Sequence, residues 1–298
     1  MIRVAAEIEA AVRAGRPVVA LETSIVAQGL PHPHNLEAAL RCERAVREEG
    51  ALPATIAVLG GEVRVGLGRA AIERLADRGR PVAKLSARDL GRAAALGLDG
   101  ATTVAGTCRV AAAAGLRFFA TGGIGGVHRR RPGHPLDESA DLAELARSAV
   151  AVFCAGAKTI LDVPATLERL ESLSVPVLGY GTDDFPGFYM ASTGRRIPRL
   201  DGADEVARCL RASWDLGSAG AVVAVPPPME LEGAEAMAER ALEETQEAEG
   251  ADATPAALAR IAELSGGRSV EVNLALVENN ARIAARCAVA YSTPGRSA

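Results

Sequence analysis

Short apolar runs rich in β-branched residues alternate with helix-periodic stretches along this whole chain, and that alternation limits the fold more than any other feature. PVVAL (17–21), ATIAVLG (54–60), PVAKL (81–85), LRFFA (116–120), AVAVFC (149–154), VPVLGY (175–180) and AVVAVP (221–226) are nearly all apolar on both strand faces. That is the pattern of strands buried in a largely parallel sheet. Stretches between them, such as NLEAALRCERAVREEG and ADLAELARSAV, have helical spacing, so helices should cover both faces. IAVLGGEVRVGL breaks the alternation at Gly60-Gly61 and predicts an antiparallel hairpin. The expected fold is a three-layer α/β/α architecture with a central mixed, mostly parallel sheet.

The last quarter carries three helical patterns: MELEGAEAMAERALEETQEAEG, TPAALARIAELSGG and SVEVNLALVENNARIAARCAVAYS. In the middle one Thr254 is placed to cap the helix, Pro255 to start it and Gly266 to end it. Asn35 and Gly50 are read in the same way as the cap and stop of the helix between them. No Pro/Gly/Ser linker and no repeat divides the chain, so residues 1–298 are read as a single domain, with a frayed tail STPGRSA.

Hydrophobic residues make up 49% and charged residues 23%, enough for a sizeable core and against disorder. A net charge of -4, with one Trp, three Tyr and five Phe, argues against a nucleic-acid binder. Cys42, Cys108, Cys154, Cys209 and Cys287 form no C-x-x-C pair, which speaks against a disulfide framework or zinc cage and for a reducing compartment. The first residues include Glu7 and Glu9, unlike a signal peptide, and no uncharged apolar run reaches the roughly 18 residues of a membrane span. A cytoplasmic protein is expected.

The positive charges narrow the search for chemistry. Of 33 positive side chains only Lys84 and Lys158 are lysines; the rest are Arg. Arg stays protonated, whereas a desolvated Lys can become an amine nucleophile. In parallel sheets ligands bind beyond the carboxyl ends of strands. Lys158 follows the fifth apolar run after nine uncharged residues, which suits imine formation with a sugar or keto carbonyl; the alternative is an ordinary Lys at the start of the helix TILDVPATLERLESL. Glu22 ends the first run, where desolvation would raise its pKa towards that of a working acid, unless it caps a helix or pairs with an Arg. Lys84, near the end of the third run, either holds a phosphate or snorkels from an edge strand.

The fourth run ends in Thr121-Gly122-Gly123-Ile124-Gly125-Gly126-Val127-His128, a plausible phosphate cradle or else a plain turn or lid. After the basic stretch Arg129-Arg130-Arg131-Pro132-Gly133-His134 come Asp137, Glu138 and Asp141. Three carboxylates in five residues suit a magnesium or manganese ion that keeps most of its waters, although an acid-rich helix start has the same look and spacing alone favours it. His32 and His34 lack a third ligand and are read as a loop wall rather than a zinc site. Asn279 and Asn280 interrupt the apolar last helix and should bond either a phosphate or a neighbouring loop.

ALETSIVAQGLPHPHN, LSARDL, TTVAGT, ATGGIGGVHR, DESADL, CAGAKTILD and VENNARIAARCA, in this order, resemble the pseudouridine-5'-phosphate glycosidases over almost the whole chain. The resemblance implies reversible cleavage of the C–C glycosidic bond of pseudouridine 5'-phosphate to uracil and ribose 5-phosphate, a manganese-type ion, an α/β/α fold and a homotrimer. It implies Lys158 as nucleophile, Glu22 as proton donor, Lys84 and Val104 as substrate-binding positions and Asp137 as metal ligand. Ser139, Ala140 and Asp141 are implied as a substrate-contacting stretch, and Thr121, His128 and Asn280 as site-lining or phosphate contacts. Glu138 departs from the family pattern, which has an apolar residue there. Two other readings use the same residues: a Schiff-base sugar-phosphate aldolase, and a non-catalytic sugar-phosphate-binding protein.

Overall fold

The computed structural model describes residues 2–130, 136–248 and 253–293. Among the described residues thirteen strands form in chain order. The first six are β1 (Ile2–Val4), β2 (Val18–Leu21), β3 (Leu52–Leu59), β4 (Glu62–Val65), β5 (Ala83–Leu85) and β6 (Gly100–Thr102). The others are β7 (Phe118–Ala120), β8 (Val127–His128), β9 (Ala151–Cys154), β10 (Leu161–Asp162), β11 (Val177–Tyr180), β12 (Arg199–Leu200) and β13 (Ala221–Ala224). The main path runs β1-β4-β3-β2-β7-β9-β13-β11-β12. From β3 to β12 every neighbour is parallel.

The sheet is mixed because β3 is long. Its first half, Leu52–Thr55, pairs with β2, while its second half pairs antiparallel with β4 and β6. The β3–β4 turn is the expected hairpin: Gly60 and Gly61 both have positive φ, +58° and +78°, as a two-residue primed turn requires. β5 lies parallel to β6, so it runs against the main sheet. This corrects the reading of the third apolar run as one more parallel strand.

The helices are α1 (Ala6–Arg13), α2 (His34–Glu48), α3 (Arg69–Ala76), α4 (Leu90–Ala95), α5 (Val104–Ala113) and α6 (Ala140–Leu145). They continue with α7 (Val163–Ser172), α8 (Ala203–Asp215), α9 (Ala234–Glu244), α10 (Ala253–Leu264) and α11 (Arg268–Ser292). Alternate strand residues face opposite layers. Val18, Ala20, Phe119, Val152 and Val222 pack with residues of α1, α5, α6 and α7. Their neighbours Val19, Leu21, Phe118, Ala120, Phe153 and Val223 pack with α2, α8 and the second half of α11. These are the three expected layers.

Several local expectations change. Residues 2–4 form strand β1, although the start of the chain reads as an amphipathic stretch; Ile2 to Val4 pair parallel with β4, a partner some sixty residues on. Asn35 does not cap α2. It lies inside the first turn, fully buried, and its Nδ2 donates to the carbonyls of Val26 and Ala76 at 2.8 and 3.0 Å. Thr254 lies within α10, which begins at Ala253; the stop signals read correctly, with Gly50 and Gly266 both at positive φ. Arg131 to His134 of the basic stretch and most of the tail lie outside the described residues. Among the described residues the five cysteines are free, and no helix is long and apolar enough to cross a membrane.

Candidate active site

β2 connects forward to β3 on one side and is flanked by β7 on the other, so the strand order reverses between β2 and β7. Such a reversal leaves a crevice at the carboxyl ends of the strands. Glu22 follows β2, Thr121 follows β7 and Lys158 stands four residues past the end of β9. All three line one cleft with Lys84, Ser24, Gln28, Gly122, Gly123, Phe188 and Asn273. The two lysines of the chain therefore face the same space. Lys84 reaches it from β5, although that strand runs opposite to the parallel sheet.

Glu22 is held from both sides. Thr121 Oγ1 donates to its Oε1 and Ser24 Oγ to its Oε2. Burial pushes its pKa up; the Lys158 charge and the two hydroxyls pull it back, and burial wins. The residues after it form a π-helical turn, Ile25–Gly29, a distortion frequent at functional sites. Arg78 pins this turn by donating to the carbonyls of Ala27 and Leu30.

Lys158 is placed by a tight turn, not a helix. After Cys154 the chain turns through Gly156 at φ +78°, where a methyl group would stand 1.9 Å from the Pro186 carbonyl. The Lys158 amide donates to the Ile124 carbonyl at 3.2 Å. α7 begins only at Val163, capped by Asp162, so the reading of Lys158 as an ordinary helix-start residue fails.

The glycine loop serves packing more than anion binding. The Gly125 amide donates to Asp141 Oδ2 at 2.8 Å, the Ile124 amide to the Gly156 carbonyl and the Val127 amide to Thr166 Oγ1. Methyl groups at Gly125 and Gly126 would meet Ser139 Oγ and Thr166 Oγ1 at 2.2 and 2.3 Å. Of the four glycines of this loop, Gly122 and Gly123 line the cleft, beside Thr121.

The other expected residues support the cleft from behind or lie beside it. Asp141, 5% exposed, accepts from the Ala105 and Gly125 amides and so ties the start of α5 to the glycine loop. Ser139 caps α6, which Ala140 opens. Val104 is the buried first residue of α5, next to its cap Thr103. Asn280 is fully buried and its Nδ2 donates to the Thr121 carbonyl at 2.8 Å, so of the two partners expected for it, it takes the loop. His128 Nδ1 lies 3.8 Å from Asp137 Oδ2.

The three carboxylates of the acidic segment do not converge. Glu138 pairs with Arg169 at 3.0 Å, Asp141 faces backbone amides, and Asp137 remains about half exposed. Among the described residues no three His, Cys, Asp or Glu side chains come together as a metal cage. His34 is the first residue of α2, not a loop residue; it bonds Glu37 and lines the cavity behind the cleft.

Sequence reasoning missed Ser24, Gln28, Phe188 and Asn273. Phe188 has φ +66°, a conformation that costs a bulky residue about 1–3 kcal/mol. Its ring lies against Gly123, where a methyl would meet it at 2.6 Å. The glycine pair Gly122-Gly123 was the available signal that something packs closely there.

The sequence matches the family of indigoidine synthase A like proteins over residues 7–290. Curated relatives carry the name pseudouridine-5'-phosphate glycosidase. The one from Sorangium cellulosum is 48% identical and covers 99% of this chain and 95% of its own. That from Roseiflexus sp. is 51% identical and covers 98% and 96%. Among solved structures, an indigoidine synthase A-like protein of Thermotoga maritima superposes with a TM-score of 0.89 at 33% identity, covering 98% of this chain and 97% of its own. The prealnumycin C-glycosynthase AlnA, solved in complex with ribulose 5-phosphate, superposes with a TM-score of 0.87 at 37% identity and the same coverage.

Proposed function

The chain belongs to the indigoidine synthase A like family, and on that premise we propose that it is a pseudouridine-5'-phosphate glycosidase, releasing uracil and ribose 5-phosphate. The observation that carries this reading is the pair Glu22 and Lys158, brought from two strand tips to one cleft, the acid with a raised pKa and the amine beside it. A C–C glycosidic bond offers no heteroatom to protonate at the leaving group. The sugar carbon must instead supply an electron sink.

An amine at C1' is such a sink. As Lys158 Nζ bonds C1', the bond to the ring oxygen breaks, and that oxygen takes the proton that Nζ gives up, which restores the Nζ lone pair. Glu22 then protonates C5 of the base. The Nζ lone pair forms the C1'=N iminium while the C1'–C5 electrons return to the uracil ring. Water adds to the iminium, ribose 5-phosphate leaves, and the released proton returns to Glu22. Arg at position 158 would remain protonated and could not begin this sequence. Thr121 and Ser24 hold the Glu22 carboxyl in place; a pure sugar-phosphate binder would have no use for an acid there.

The family resemblance adds a manganese-type divalent ion, with Asp137 as its protein ligand. One exposed carboxylate fits a hydrated ion that also meets a substrate phosphate, which is the usual manner of hard cations of this size. When bound, it would neutralise charge on that phosphate. A homotrimer acting in the cytoplasm completes the proposal.

Ultraviolet absorbance on adding pseudouridine 5'-phosphate, with and without a chelator, reads both turnover and metal dependence. Sodium borohydride with ribose 5-phosphate should add one reduced sugar at Lys158, seen by peptide mass spectrometry, and Lys158→Arg should lose both the adduct and at least about a thousandfold in rate. An unmodified Lys158 under turnover conditions would sink the mechanism. Release of a shorter aldehyde instead of uracil would point to an aldolase.

A further inference from the structure

Two polar groups in the cleft wall have no part in that chemistry. Gln28 and Asn273 line both the cleft and the cavity behind it, a space of about 780 Å³. Each has a buried side-chain oxygen, Gln28 Oε1 and Asn273 Oδ1, without a hydrogen-bond partner among the described residues. Asn273 is 4% exposed. The orientation of the Gln28 amide is set by its Nε2, which donates to the Val82 carbonyl at 3.0 Å. A buried acceptor left unmade costs about 1–3 kcal/mol, so two of them at one site call for a ligand that donates.

We propose that Gln28 and Asn273 form the subsite that reads the leaving base, each side-chain oxygen accepting one of its two ring N–H groups. The proposal rests on the glycosidase reading. Lys158 takes hold of C1' from the β9 side, and Glu22 protonates C5 from β2, so the departing base lies on the Glu22 side. Gln28 stands on the π-helical turn that follows Glu22. Ile25, Pro255, Leu258 and Phe188 complete an apolar wall suited to a flat ring.

Two unpartnered buried oxygens call for donors and so disfavour a phosphate, which is itself an acceptor. They also separate two kinds of pyrimidine nucleotide. A base attached through C5 keeps both ring nitrogens protonated, whereas one attached through a ring nitrogen keeps only the other. The second leaves one buried oxygen unmade, and a site built for a hydrogen bond rejects the analogue that lacks it.

The test is run in the synthetic direction with the full chain, ribose 5-phosphate, and uracil, 1-methyluracil or 3-methyluracil. Gln28→Met and Asn273→Leu should each raise KM for uracil by about three- to tenfold, the size of one neutral hydrogen bond, with KM for ribose 5-phosphate changed by less than about twofold. In the parent both methyluracils should be poor; in each variant one of the two penalties should vanish. Asn273→Asp, which keeps an acceptor, should restore the uracil KM.

A rise in KM for ribose 5-phosphate alone would overturn the proposal in favour of sugar contact. Equal losses for all three bases would reduce both residues to packing. Borohydride trapping of ribose 5-phosphate needs no base: its failure in the parent strikes the glycosidase reading, while normal trapping with unchanged base dependence strikes only the subsite.

Discussion

A single carboxylate, Glu22, is pulled in opposite directions. Burial favours the neutral acid, whereas Lys158, Ser24 and Thr121 favour the anion, and the net shift is upward. The folded protein therefore holds a proton that the unfolded chain has released at the same pH. Between the ordinary glutamate pKa and the raised one, stability must fall as pH rises. Glu22→Gln keeps the shape and stays neutral, so it should lose about 10²–10⁴-fold in turnover yet unfold at a higher temperature than the parent at pH 8, with the gap closing towards pH 4. Thermal unfolding across that range checks it, and a parent that is the more stable at pH 8 would refute the balance. Glu22 and Lys158 were legible because a strand tip follows from local pattern. Gln28, Asn35 and Asn273 were not, because a buried amide is explained only by partners or cavities that distant segments supply, as Val82 does for Gln28.

Elements around the cleft are joined by buried polar links that no periodicity announces. Asp141 sits in α6, where acid-rich spacing suggested a metal, but its two oxygens accept amides from α5 and the glycine loop at 2.9 and 2.8 Å. Asp141→Asn replaces one acceptor by a donor facing an N–H. It should cost about 1.5–3 kcal/mol, measured by urea unfolding without substrate and with an unchanged m-value. A variant as stable as the parent would return Asp141 to a role in ligand contact alone. The same long-range dependence hid the direction of β5. Its apolar run was correctly read as a strand, but orientation is decided by its pairing with β6, and by that of β6 with the outer half of β3. Lys84 reached the cleft for a reason different from the one its sequence position suggested.

Across the whole molecule, the two-sided apolar runs made the layered architecture legible, since each strand must be covered twice. Less visible was how strongly the last helix ties the rest together. The second half of α11 covers β2, β7 and β9 on one face, through Ala281, Ala284, Ala285 and Ala288, and Arg282 and Arg286 reach Glu48 and Glu49 at the end of α2. Its first half sends Val272, Leu274, Leu276 and Val277 into the core of the other layer, and Ile283 is buried further along. At about 1.5–3 kcal/mol for each such side chain, these five come to about 7–15 kcal/mol, which equals the whole net stability of an ordinary domain. The sheet should then depend on α11 for its stability. The full chain should melt in one calorimetric transition whose calorimetric and van't Hoff enthalpies agree, and a chain ending at Gly267 should show no cooperative transition. Two separable transitions, or a folded shortened chain, would divide the molecule where the apolar contacts say it is continuous.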